Sequence, residues 1–298
     1  MGNRQGLHNF AAASAVLLSA LWTPSTVLAE EPLGIRIEAA FTADNNVTRA
    51  RDSGDKLSDR SYSLNLSKSL NIPVSEHTRL SLLGFMGGEK FETYTGLSRY
   101  FAGIQGEFQY RPSGEFGAPT FGAFVRSSRD EYESNLRDGY RHSAGLNVHK
   151  AVTDRIDVFG AVARNIRDGK STVFDTRDYS ARLNLDYSLT RYGTVYLGGE
   201  YRRGDVVSTA RPALAFVDIA EAIVRDDAFT DTERFAYRIQ ARTVLTTLGY
   251  NFAFGEGHAL DFSWRWVRST PTTEPGFATA GAIRYYVNQF TLAYLIRF

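Results

Sequence analysis

The chain has 298 residues with 34 Lys plus Arg against 33 Asp plus Glu, so net charge gives no basis for holding nucleic acid. It has no cysteine, which excludes a disulfide framework and thiolate metal or redox chemistry. Aromatics make up 13% of residues, with 26 Gly and only 8 Pro, a profile of many strands and tight turns.

The first element is an export signal. Arg4 and His8 precede the apolar run FAAASAVLLSALW, and TPSTVLAE offers small or apolar residues at Val27 and Ala29 before Glu30. The run is shorter than the ~20 apolar residues a spanning helix needs, which argues against a membrane anchor. The reading is a signal peptide over residues 1–29, cut after Ala29, with 30–298 as a single domain.

Beyond it, alternation recurs and helical spacing is scarce. RSYSLNLSKSL sets Tyr62, Leu64, Leu66 and Leu70 against Ser61, Ser63, Asn65, Ser67 and Ser69. DYSARLNLDYSL repeats the pattern, with Tyr179, Ala181, Leu183, Leu185, Tyr187 and Leu189 on one face. Weaker segments begin near Ile35, Arg79, Arg99, Thr120, Tyr140, Ile156, Thr194, Phe235, Ala259 and Ala282, making twelve predicted strands. Short turns fall at NIPVSEH, RPSGEFGAP, AVTDR, TRYG and GEGH, and longer polar links at 44–59, 89–98, 127–139, 166–177, 205–233 and 270–281.

Two segments depart from this pattern. Within 205–233, Pro212 stands like a first helical residue, and Leu214, Val217, Ala220, Ile223 and Val224 predict a helix over 212–224 that folds inward to narrow a pore or lies on the rim. In the next strand the apolar parity changes, from odd at Phe235, Tyr237 and Ile239 to even at Leu248, Tyr250, Phe252 and Phe254. That predicts a membrane crossing near 244–254 and a bulge near Thr246 and Thr247.

The polarity of the faces decides what kind of barrel this is. In a soluble sandwich or barrel the second face is richly charged and the aromatics are buried. Here that face is mostly Ser, Asn, Gly, Thr and isolated charges. Aromatics mark the strand ends: Tyr62, Tyr100, Tyr179, Tyr201, Trp266 and Tyr286 toward the long links, Tyr110, Tyr187, Phe254 and Phe298 toward the short ones. Two such bands read as interfacial girdles about 25 Å apart.

The closing FTLAYLIRF places Phe290, Leu292, Tyr294, Ile296 and Phe298 on one face, with Leu295 on the other. This segment resembles the C-terminal signature of bacterial outer-membrane β-barrel proteins of the porin-like class. The resemblance implies an antiparallel transmembrane barrel of about twelve strands in a Gram-negative outer membrane, with short periplasmic turns and long extracellular loops. It further implies contact with outer-membrane lipid and lipopolysaccharide, and recognition of the last strand by the barrel assembly machinery.

No P-loop, nucleotide-binding glycine pattern or His-rich metal spacing occurs, and no cofactor is expected. His77, His149 and His258 lie at or beside short turns and read as interfacial hydrogen-bonding groups. His142 and Ser143 look like a hydrolytic pair, but adjacent strand residues face opposite ways, so catalysis there is not expected. The acidic links TADNNVTRARDSGDK and RDDAFTDTE read as solvated surface charge rather than a divalent-cation site.

At lumen parity stand Arg36, Arg79, Arg99, Arg126, Arg182, Arg202, Arg265 and Arg297 against Glu38, Glu107, Asp157, Asp186, Glu200 and Asp261. The pore-lining candidates are Arg126, Arg182, Arg202, Arg265, Glu107, Asp186, Glu200 and Asp261. The expected function is a passive, non-enzymatic channel for small hydrophilic solutes with weak anion preference, such as acidic sugars or organic acids. The competing readings are a non-conducting barrel for adhesion, assembly or scaffolding, and a membrane-embedded hydrolase.

Overall fold

The computed structural model describes residues 33–229, 233–276 and 283–298. The expected signal peptide and the expected start of the last strand near Ala282 lie outside those residues. In chain order the strands are β1 (Ile35–Asp44), β2 (Asp59–Pro73), β3 (Thr78–Phe91), β4 (Arg99–Tyr110), β5 (Thr120–Tyr132), β6 (Gly139–Ala151) and β7 (Ile156–Gly169). There follow β8 (Thr176–Ser188), β9 (Gly193–Ala210), a short helix α1 (Leu214–Ile219), β10 (Ala222–Arg225), β11 (Phe235–Ala253), β12 (His258–Pro271) and β13 (Tyr285–Arg297). All but β10 are staves of a closed 12-strand antiparallel barrel. Nearly every stave pairs with its sequence neighbours, and β1 closes the ring on β13 with Arg36 opposite Arg297 and Asp44 opposite Gln289. Closure leaves no unpaired edge, which is what a sheet needs in hydrocarbon.

The period-two pattern becomes two surfaces. Leu64, Ile104, Val125, Leu146, Leu183 and Phe290 point outward and are exposed, as lipid-facing side chains are in the absence of lipid. Tyr62, Tyr100, Tyr179, Tyr201 and Tyr286 form the outer girdle on that face, and Tyr110, Tyr187, Phe254 and Phe298 the inner one. Trp266 completes the first band by stacking on Tyr286, with ring centroids 6.1 Å apart. The five residues of the terminal signature also lie on the outer face, and Phe298 donates its amide to the Ile35 carbonyl at 2.9 Å. Leu295, on the other parity, is buried inside against Ala259.

Three expectations about local structure are corrected. The links expected at 127–139 and 166–177 are shorter, because β5 and β7 run on to Tyr132 and Gly169 and each then turns through one 3-10 turn. There is no bulge at Thr246 and Thr247: β11 keeps one register with β9 from Phe235 opposite Ala210 to Phe252 opposite Gly193, and one with β12 throughout. The parity change has another cause. Tyr237 and Ile239 keep the inward parity of the stave but stand above the membrane, where Phe216 of α1 covers them and makes an apolar interior there. The predicted 212–224 helix is also shorter, since only Leu214–Ile219 is helical and Ala222–Arg225 pairs along β11.

Gly204 marks where the long hairpin leaves the wall. Its φ is +148°, and a Cβ there would meet the Arg177 carbonyl at 2.2 Å. The β8–β9 ladder ends at that residue, Asp178 opposite Gly204. Beyond it β9 pairs with β11 alone, so the hairpin is released from its other neighbour.

Candidate functional site

Inside the barrel lies a cavity of about 390 Å³ bounded by the inward faces of β1 to β9. It is off-centre because the opposite wall is packed shut. There the Tyr196 hydroxyl donates to Asp261 at 2.8 Å, Asn251 also bonds Asp261, and Ser263, Thr291, Thr247 and Thr243 are buried further along the same wall.

The charges bordering the cavity are mostly paired. Glu200 holds both Arg182 at 3.0 Å and Arg202 at 2.6 Å, and Arg36 pairs with Glu38 at 2.6 Å. Arg99 reaches Glu89 at 3.2 Å and Asp130 at 3.8 Å. Asp130 also binds Arg141, which donates to the Tyr132 hydroxyl at 2.7 Å. Glu107 has amide partners instead, accepting from Gln109 at 2.9 Å and Asn147 at 3.0 Å. Arg126 differs: among the described residues it has neither an ion pair nor a hydrogen bond, and its guanidinium lies 4.0 Å from the centroid of the Phe85 ring. Phe85, Phe101, Phe124 and Phe159 bring aromatic surface to this polar wall.

The extracellular mouth is crossed by the segment that joins β9 to β11. Its turn after β10 lands on the far rim, where Ala228 and Phe229 pack against Leu97, Tyr94, Val47 and Leu57. A Cβ on Gly96 would come within 2.4 Å of the Ala228 Cα, so the two backbones touch. Polar contacts fasten it: Asp226, fully buried, accepts from Arg137 and from the Thr209 hydroxyl at 2.8 Å, while Ser134 bonds Asp227. From the first loop, Asp55 pairs with Arg234 at 2.9 Å and the Thr48 carbonyl accepts from the Thr209 amide at 2.8 Å. The acidic links are therefore braces between loops in part, rather than wholly solvated charge.

Searches of family models and of characterised protein sequences find no match. Solved structures do match in shape. An outer-membrane channel from Pseudomonas putida F1 superposes with a TM-score of 0.55 at 13% identity, covering 90% of this chain and 97% of its own. The transport unit of the Escherichia coli autotransporter AIDA-I gives 0.48 at 8% identity over 92% and 93%, and the KdgM porin bound to oligogalacturonate 0.46 at 9% over 88% and 99%. The chain has the fold of the bacterial outer-membrane β-barrels.

The barrel separates the sequence candidates into two sets. Arg126, Arg182, Arg202, Glu107 and Glu200 border the cavity. Arg265, Asp186 and Asp261 face inward without bordering it. Asp261 is sealed behind Tyr196, and Asp186 is 7% exposed in register with Asp157, which His149 meets at 3.3 Å. His149 thus serves the interior rather than the interface, whereas His258 does bond Tyr294 at 2.8 Å on the outer face. His142 and Ser143 point apart as expected: His142 bonds Ser127 on the outside, and Ser143 donates to Asn165 on the inside at 2.8 Å.

Sequence reasoning passed over Tyr132 and Arg167, whose inward parity continues that of their strands once β5 and β7 are extended to full length, and also Arg141, which already stood at inward parity within the strand predicted from Tyr140. It also passed over the inward phenylalanines, because a wet lumen was expected to be polar.

Proposed function

We propose that this protein is a passive outer-membrane channel for small hydrophilic solutes, with a preference for anions. The observation that carries the reading is the unfilled, polar-bordered interior containing an arginine that makes no ion pair among the described residues. Barrels of about eight strands are filled by side chains and those of 16 to 18 hold open water channels, so a partly open interior suits a barrel between them. Much of the arginine surplus is spent on bracing, as the Arg182–Glu200–Arg202 and Arg36–Glu38 contacts illustrate. The anion preference therefore rests mainly on Arg126, and a ring of positive field at a constriction selects by charge.

The segment docked across the mouth favours the competing reading of a barrel that does not conduct. Single-channel recording of the refolded protein in a salt gradient separates the two. A channel gives unit conductance steps, a reversal potential of anionic sign, and higher conductance after removal of residues 207–231. Cation preference refutes the selectivity, and silence from both the full chain and the deletion refutes the channel.

A further inference from the structure

At one place in the cavity, positive charge and flat apolar surface meet with no partner for the charge. Arg126 caps the ring of Phe85, and Phe101 lies tilted against Phe85 with centroids 6.4 Å apart. The rings are held against the wall by glycines on neighbouring strands. A Cβ at Gly103 would strike the Phe85 ring at 2.5 Å, one at Gly87 the Phe101 ring at 2.8 Å, and one at Gly145 the Phe124 ring at 2.9 Å. Glycine within a strand often marks such close approach by another group. Phe85 and Phe101, laid on Gly103 and Gly87, make an aromatic platform beside a guanidinium that no described side chain pairs, and Phe124 lies further along the wall.

We propose that this platform binds a small carboxylate carrying a six-membered ring, the carboxylate on Arg126 and a face of the ring against Phe101. The inference depends on the channel reading for how the ligand arrives, and not for the binding itself. Arginine presents a rigid fork of N–H donors that matches a carboxylate in bidentate fashion. Its neighbours are committed elsewhere, Arg99 to Glu89, Arg141 to Asp130, and Arg182 and Arg202 to Glu200. Arg167, also without a carboxylate partner, gives its guanidinium to the Arg137 carbonyl at 2.6 Å and stacks on Tyr132, so an anion entering the cavity finds its most open donors on Arg126. A ring adds contact with the aromatic wall that a linear acid does not make, and a volume of 390 Å³ lies within the usual range of small-ligand cavities.

Calorimetric titration of the refolded barrel in detergent with benzoate, glucuronate, acetate and inorganic phosphate tests this. At least one ring acid should bind about tenfold more tightly than acetate or phosphate, and Arg126→Gln should weaken it by about tenfold or more, as loss of a charge-assisted pair does. Phe101→Leu should abolish the advantage of the ring while leaving acetate binding unchanged. Arg129→Gln, an exposed position whose guanidinium pairs with Glu131, should change nothing. Retained heat-dependent mobility on a gel checks that each variant is folded. Benzoate binding more tightly than glucuronate marks an aromatic acid as the ligand class, and the reverse marks an acidic sugar. Acetate or phosphate binding as well as both ring acids, or Arg126→Gln binding as well as the parent, overturns the site. Absence of all binding in a barrel that conducts defeats this site and spares the channel. Binding in a barrel that does not conduct does the opposite.

Discussion

Replacing Asp226 by Ala should undock the segment that crosses the mouth. The Asp226 side chain is 0% exposed, and Arg137, its ion-pair partner, is 12% exposed. It also accepts from the Thr209 hydroxyl at 2.8 Å and from the Ala228 amide at 3.1 Å. Removing one member of a buried pair costs about 3 to 5 kcal/mol, because the other charge is left without compensation. That is roughly two to four orders of magnitude in the docking equilibrium. Hydrogen exchange of the refolded barrel in micelles reads it directly, since the Thr209 amide is bonded to the Thr48 carbonyl of the first loop only while the segment is docked. Protection at this amide should fall by at least a hundredfold while the staves keep theirs. Glu131→Ala, which breaks an exposed pair with Arg129, should leave both unchanged. Removing Arg137 as well should restore part of the protection, since losing both partners costs less than losing one. A drop of less than tenfold at Thr209, or an equal drop along the staves, refutes the reasoning.

Other parts of the barrel give independent tests. Leu146 is 60% exposed on the lipid face near the middle of β6, so Leu146→Arg should cost about 2 to 4 kcal/mol in unfolding from lipid vesicles. Asn147→Arg, one residue along and facing Glu107, should be tolerated, and equal costs for the two would reverse the assignment of faces. At the rim, burial works against the charged form of Asp138, but hydrogen bonds from Lys170 and the Tyr132 amide outweigh it and hold the carboxyl below its usual value. A depressed carboxylate contributes stability present above its unfolded value of 3.8 and lost as pH falls through its lower folded value, so amide protection around 134–138, corrected for the intrinsic exchange rate, should fall as the pH drops below about 4. Asp138→Asn should abolish that step, and an unchanged step in the variant would assign it to another group. Deleting Phe298 removes the amide that bonds Ile35 where the ring closes, and should lower the yield of heat-modifiable barrel far more than Arg297→Gln does. Equal yields would take the terminal residue out of assembly.

The barrel was legible in the sequence wherever one rule governed a whole stave. Leu64, Leu183 and Phe290 alternate with small polar residues because one face meets lipid and the other a wet interior, and such strands fix their own register. The reading failed where a third environment entered. Tyr237 and Ile239 obey the inward parity of β11, yet they are apolar because α1 covers them; a rule that equates apolar with lipid-facing then needs a bulge that β11 lacks. Ile223 and Val224 fit a helical stripe as well as an alternating strand, and only the free edge of β11 beyond the end of β12 decides between them. The same holds inside the cavity. Phe85, Phe101 and Phe124 sit on the polar side of their strands, and what makes them tolerable is a glycine on the adjacent strand, many residues away in sequence. The pairing register brings each ring to its glycine: Gly103 faces Phe85, Gly87 faces Phe101, and Gly145 faces Phe124. Register is a property of two strands at once. A single strand read alone carries the ring or the glycine and not the platform they form together, which is why the arginine above it could be placed on the right face while its aromatic setting could not.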